Sequence, residues 1–218
     1  MLEGWHEGRT EWFEIYPVPE RLFSGAKAYE GKDAAFYVDV AGGNDYDIQQ
    51  FYQRFSSKLP GRVVLEDLHP VIDSISPPLP QGITRLKYDF FTPQPICGAR
   101  AYYMRSICHD WSDERAAALL KNTVEAIEPG YSRLLINDWV VPDTGSPLLP
   151  ALLDLQMMAM LSGIERTETQ WKVLLGEVGL EIVNFWSVGV EVEGLIECEE
   201  GVGLGRCNET RLGMMERH

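Results

Sequence analysis

Residues 36–51 read FYVDVAGGNDYDIQQF: an apolar run rich in β-branched and aromatic residues, two glycines, then apolar residues at helical spacing. That order describes a buried strand, a tight turn and a helix. A glycine turn lets backbone approach a ligand closely, and the helix that follows offers free N–H groups and the positive end of a dipole. Such turns hold phosphates, nucleosides or methyl donors. Open parallel sheets bind ligands there, beyond the carboxyl ends of their strands. Alone, the glycines are weak evidence, because a turn packed on a helix with no ligand reads the same way. Asp45 puts a charge where such loops usually keep glycine.

Outward from this stretch, apolar runs alternate with helical patterns, as in an α/β domain with a mostly parallel sheet. Strands are expected over 34–40, 62–66, 83–88, 100–104, 133–137, 180–187 and 193–197, seven in all, flanked by helices. One helix is expected to be capped by Ser112, to carry Leu119, Leu120, Val124 and Ile127, and to stop at Glu128–Pro129–Gly130. Another opens on the capping box Thr167–Gln170 and presents Trp171, Leu174, Leu175 and Val178 on one face, with Gly179 as its stop. Residues 1–28, aromatic and interrupted by proline, read as the remnant of a larger helical domain or a linker. Residues 29–198 form the catalytic-type domain, and the Gly-rich, polar end at 199–218 reads as disordered.

At 218 residues and 45% hydrophobic content the chain can bury one sizeable core. The net charge of −14 repels polyanions, which argues against nucleic acid or an anionic membrane surface as partner and for a small neutral or cationic ligand. Cys97, Cys108, Cys198 and Cys207 form no CxxC pair, and no long apolar run is present, so a reducing, cytoplasmic setting is expected. No metal-ligand spacing is visible.

The chemistry sits at strand ends. Glu66 and Asp67 close the second strand, where an acid can hydrogen-bond both hydroxyls of a ribose; a turn cap is the alternative. Asp89 can accept from an adenine amino group while Phe90 packs on the ring, although Phe90 and Phe91 are equally good core residues. The stretch MRSICHDWSDE (104–114) places His109 between a strand end and a helix. A lone histidine is more often structural. Here two further strand-end positions carry carboxylates, Asp138 and Glu165, and a carboxylate on one imidazole nitrogen fixes the tautomer and raises basicity at the other.

The blocks WFEIYPVPERL, FYVDVAGG, VVLEDLHPVI, YDFFTPQP, ARAYYMRSICHDWSDE, SRLLINDWVVPD, LLDLQMMAMLSGIERTETQW and VGLEIVNFWS occur in order between Trp12 and Ser187, within a match that runs to about Glu197. Together they resemble the catalytic domain of fungal S-adenosylmethionine-dependent O-methyltransferases, relatives of the plant caffeate and flavonoid enzymes. The resemblance implies a Rossmann-like class I methyltransferase fold. It also implies that Gly42, Gly43 and Asp45 lie on the methionine part of S-adenosylmethionine, Asp67 on the ribose, and Asp89 and Phe90 on the adenine. Arg105 stands where relatives often have lysine near the adenosine. His109 is implied as the base that deprotonates a substrate hydroxyl, flanked by Asp138 and Glu165, with Trp111, Met157 and Met158 lining the acceptor pocket; core packing is an adequate alternative for the methionines.

Two departures stand out. Where relatives read roughly GGGxG, this chain has alanine at 41 and aspartate at 45. Asp45 either crowds the donor's carboxylate or turns away to cap the following helix. Relatives also carry an N-terminal helical domain that dimerises and closes over the acceptor; a second copy or a partner chain covering the open pocket is therefore expected. Three readings follow: an O-methyltransferase acting on a small aromatic or polyketide-like metabolite; a protein of the same fold doing non-methylating chemistry such as a cyclisation or pericyclic step; and a non-catalytic remnant that binds a ligand or partner.

Overall fold

The structure, a computed structural model, describes residues 10–27, 34–43, 45–76, 78–189 and 192–201. The readings made for 1–9, 28 and 202–218 lie outside the described residues. In chain order the elements are α1 (Trp12–Ile15), β1 (Ala35–Val40), α2 (Tyr46–Phe55), β2 (Arg62–Asp67), α3 (His69–Ser74), β3 (Ile83–Lys87), β4 (Ala101–Arg105), α4 (Asp113–Val124), β5 (Arg133–Asp138), α5 (Leu148–Leu161), α6 (Glu168–Glu177), β6 (Leu180–Trp186) and β7 (Gly194–Glu200). All seven expected strands are present, and they form one sheet in the order β3-β2-β1-β4-β5-β7-β6.

Strands β1 to β5 run parallel, and β7 returns antiparallel between β5 and β6. The strand order reverses at β1, which is flanked by β2 on one side and β4 on the other. The turns leaving β1 and β4 thus diverge and open a crevice at the sheet's carboxyl edge. That topology brings the glycine turn of 41–43 opposite the loop that carries His109.

The central strands β1, β2, β4 and β5 are buried on both faces and read accordingly as largely apolar runs, whereas β3 and β6 at the edges are partly exposed. One face packs Val38, Val64, Tyr102 and Ile136 against Leu119, Leu120, Trp171, Leu174 and Leu175 of α4 and α6. The other packs Tyr37, Tyr103 and Leu135 against Ile48 and Phe51 of α2 and against the segment around α1. In that segment Trp12 stacks on Tyr37, Phe51 and Tyr103 with ring centroids 5.8, 5.4 and 4.9 Å away. Two buried charges hold it down. Glu197 of β7 accepts from Tyr16 Oη at 3.1 Å and from Arg21 at 2.8 and 3.0 Å. Arg100 donates to the carbonyls of Arg21, Leu22 and Ser24.

The helix opened by Ser112 is shorter than its pattern predicts. It ends at Val124, because the carbonyl of Ala126 turns to the sheet side and accepts from Gly98 N at 2.8 Å and Tyr102 Oη at 3.1 Å. Ile127 stays in the core, and Gly130, at φ +71°, closes the turn that follows. Ser112 stands at the N-cap but makes no side-chain cap bond, whereas the capping box of Thr167 and Gln170 is complete. On α5 only Pro150 and Leu153 are buried; Leu148, Leu149, Leu152, Leu155, Met158, Met160 and Leu161 are exposed. No described helix is long and apolar enough to cross a membrane.

Candidate active site

A cavity of about 630 Å³ runs from the glycine turn to His109 and on to α5. Its size falls in the roughly 300–1,000 Å³ range of ligand sites. At one end, Gly42 is compressed between strands: a methyl there would meet Leu65 Cδ1 at 2.4 Å and Asp39 Oδ2 at 2.7 Å. Gly43 has φ +58°, and its N–H donates to Asp67 Oδ2 at 2.8 Å, which ties the turn to the end of β2. The two departures from the glycine pattern are also at positive φ: Ala41 at 57° and Asp45 at 67°. Asp45 occupies the N-cap of α2 without capping it; its carboxylate instead accepts from Gln49 one turn on, directed along the helix.

Asp39, the acid inside FYVDV, is fully buried on the cavity wall, and its Oδ2 has no hydrogen-bond partner among the described residues. Burial pushes its carboxyl well above the usual range, and neighbouring Asp47 adds to the effect. Beside it, Arg105 pairs with Asp47 of α2 and lies 3.3 Å from Glu193, so its guanidinium is fixed between two carboxylates.

At the other end the imidazole of His109 is built in from three directions. Its Nδ1 lies 2.9 Å from Glu165 Oε1 and 3.4 Å from Asp138 Oδ1. The backbone N–H of His109 donates to Asp138 Oδ2 at 3.3 Å, and the other Asp138 oxygen accepts from Trp139 N at 3.0 Å. With Nδ1–H directed to Glu165, Nε2 is left for the cavity, where Asp110 Oδ1 stands 3.4 Å away. Burial alone would lower the pKa of His109, but the Glu165 hydrogen bond and the charges of Asp138, Glu165 and Asp110 outweigh it and lift the pKa from 6.5 to about 9. Asp138, buried beside them, is pushed up to about 7, mainly by desolvation. The donor atoms of His109, Asp138 and Glu165 all lie within 4.8 Å of one another, a spacing a cation can also satisfy.

The sequence-predicted residues divide between two places. Gly42, Gly43, Arg105, His109, Glu165 and Met157 line the cavity, with Asp138 directly behind the imidazole. Asp45, Asp67, Asp89, Phe90, Trp111 and Met158 are not on its wall. Asp89 is exposed and accepts from Phe91 N at 2.9 Å; Phe90 packs edge-on to Phe91 and Trp111; Met158 faces outward on α5. Glu66, the other ribose candidate, is fully buried and accepts from Gln94 at 2.9 Å.

Several residues of the site carry no obvious sequence signal. Arg166 is fully buried and donates to the carbonyls of Cys108 at 2.7 Å and Trp111 at 2.8 Å, which brackets His109 from both sides. Gly163 sits where a methyl group would come within 2.0 Å of the His109 carbonyl. Asp39 is detectable in retrospect as a charged residue inside a strand whose neighbours are all apolar.

Residues 27–181 match the O-methyltransferase domain family, and the chain belongs to it. Among curated relatives, the chain is 40% identical over 199 residues to the O-methyltransferase mfmE of Annulohypoxylon moriforme, covering 91% of this chain and 48% of that one. Among solved structures, a variant of LepI in complex with SAH and a substrate analogue superposes with TM-score 0.80 at 29% identity, covering 89% of this chain and 49% of that one. A second, described as a pericyclic reaction enzyme, has TM-score 0.77 at 30% identity over 85% of this chain and 47% of that one. The fold is that of the class I methyltransferases. The chain spans about half the length of the curated relatives it matches.

Proposed function

We propose that the chain is the catalytic half of an S-adenosylmethionine-dependent O-methyltransferase acting on a hydroxyl of a small aromatic or polyketide-like molecule. The observation that carries this reading is the continuous cavity that joins the glycine turn to an imidazole whose far nitrogen is held by a buried carboxylate. The donor end fits the group in two respects. Gly42 and Gly43 keep side-chain atoms out of the turn, and Asp39 presents a buried oxygen with no partner among the described residues that a ligand's hydrogen-bond donor can fill. Bound there, S-adenosylmethionine supplies a methyl group already activated on a sulfonium, so the protein's own work is alignment and removal of one proton.

His109 Nε2 is the atom that takes that proton. Glu165 and Asp138 hold the ring's orientation and tautomer and stabilise the imidazolium it becomes. A pKa of about 9 leaves only a small neutral fraction at pH 7, which the positive charge of a bound donor would enlarge by opposing protonation of the ring. Met157, Leu153 and Trp139 form the apolar wall against which an acceptor lies.

The same raised pKa favours one second reading: a protonated His109 acting as hydrogen-bond donor or acid in a non-methylating step, in keeping with the pericyclic enzyme of similar fold. The exposed apolar residues of α5 support a second copy or a partner chain over the acceptor end.

Calorimetric titration with S-adenosylhomocysteine, followed by transfer of a labelled methyl group to a panel of phenols, tests the proposal. Binding with transfer that His109→Ala abolishes supports methylation. Binding with His109-dependent turnover that consumes no donor sinks it in favour of the second reading.

A further inference from the structure

The cavity wall is unevenly charged. Asp47, Asp110, Glu165 and Glu193 line it, against the two bases Arg105 and His109, while burial disfavours the charged form of the fifth wall acid, Asp39. Both bases are already engaged by carboxylates: Arg105 by Asp47 and Glu193, and His109 Nδ1 by Glu165 and Asp138. Among the described residues, no cation on the wall is left to receive an anionic group.

Asp110 differs from the other acids. Its side chain is 36% exposed, and its Oδ1 lies 3.4 Å from His109 Nε2, the nitrogen that meets the reacting hydroxyl. Asp110 is therefore the carboxylate within reach of a group carried beside that hydroxyl. The remaining wall near it combines apolar Leu153, Met157, Met160 and Leu161 with Trp139 and Gln156, whose N–H groups are neutral donors, so no positive charge stands there to offset Asp110.

We propose that the cavity selects acceptors by charge: phenols bearing an ammonium group, or another hydrogen-bond donor, next to the reacting hydroxyl, read by Asp110, with carboxylate-bearing phenols rejected. A charge-assisted hydrogen bond to Asp110 holds the cation, while an acceptor carboxylate meets like charge across the wall. The chain's net charge of −14 acts in the same sense at long range, drawing cations to the cavity mouth. The inference rests on the cavity being an acceptor site but not on methyl transfer occurring.

The test is binding of three matched probes with and without S-adenosylhomocysteine: 2-(2-aminoethyl)phenol, 2-(2-hydroxyethyl)phenol and 2-hydroxyphenylacetate. The ammonium probe is expected to bind about tenfold or more tighter than the carboxylate, with the alcohol between them. In Asp110→Asn the ammonium-to-carboxylate ratio collapses to within about threefold, whereas a merely structural role for Asp110 would weaken all three probes alike. Equal or tighter binding of the carboxylate, no measurable binding of any probe, or an unchanged ratio in Asp110→Asn overturns the proposal. Failure of S-adenosylhomocysteine to bind, with the charge ranking intact, would instead sink the methyltransferase reading and leave this one standing.

Discussion

Replacing Glu165 by glutamine keeps the shape behind His109 and removes one charge. In the folded protein the His109 pKa rises from 6.5 to about 9, and with a side chain only 13% exposed the interaction is little screened. That rise corresponds to about 3 kcal/mol. Because the folded value lies above the unfolded one, the stabilisation is fully present below pH 6.5 and is lost as pH rises through 9. A charge-assisted hydrogen bond accounts for about 1.5–3 kcal/mol of such a term, so Glu165→Gln is expected to bring the midpoint down to about 7–8. The same variant should lose about 2 kcal/mol of stability at pH 6 and much less at pH 10. The chain has only four histidines, so each imidazole can be followed separately by NMR through a pH titration, with urea denaturation at the two pH values alongside. A midpoint that stays near 9, or a stability loss equal at both pH values, would refute the assignment of Glu165 as the main counter-charge.

Three further outcomes are expected. Gly163→Ala forces a methyl group to within 2.0 Å of the His109 carbonyl; backbone there must move, and urea denaturation should show a loss of about 1–3 kcal/mol together with a lowered His109 pKa. Arg166→Met leaves the carbonyls of Cys108 and Trp111 without their donor and should cost about 2–4 kcal/mol in the same assay, with any turnover falling further than binding. Ala41→Gly relieves a left-handed backbone at φ 57°; a gain of about 1–2 kcal/mol from released strain, set against about 0.5–1 kcal/mol of added chain entropy, predicts stability unchanged or raised by up to about 1.5 kcal/mol. A destabilised Ala41→Gly would show that the alanine methyl makes a contact worth more than the strain.

Strands and the glycine turn were legible in the sequence because burial on both sheet faces writes an apolar run, and a turn between strand and helix writes glycine. His109 and Asp138 were legible for a related reason: each lies at or just past the end of an apolar strand, and the parallel topology brings such ends to one edge; Glu165, expected at a strand end, lies instead in the loop between α5 and α6. The end of α4 was not legible, since a distant pair of donors, Gly98 N and Tyr102 Oη, captures the Ala126 carbonyl and overrides a pattern that continues to Ile127. Arg166 was invisible as a bracket of the His109 loop for the same reason: the two partners that bracket the loop are backbone carbonyls, which leave no mark on residue type, although Arg166 also pairs with Asp113 at 2.9 Å. Asp45 shows a third limit, because residue type allowed it to cap or to crowd, and the left-handed backbone that turned it toward Gln49 cannot be read from composition.

The buried carboxylate of Glu197 has a consequence for the order of events in folding. Its hydroxyl donor on Tyr16 lies 181 residues away along the chain, and its guanidinium donor on Arg21 lies 176 away. Contacts of such separation form late. Until β7 is made and paired, the aromatic segment around Trp12 has no anchor at this point. Once β7 is in place, removal of that segment takes the Tyr16 and Arg21 donors from a buried carboxylate and leaves it, among the described residues, only Trp186 at 3.2 Å and Arg133 at 3.5 Å, which is unfavourable. The first described residues and the last described strand are therefore committed together, and during synthesis the stacked rings of Trp12, Tyr37, Phe51 and Tyr103 wait, partly uncovered, for the ribosome to reach Glu197.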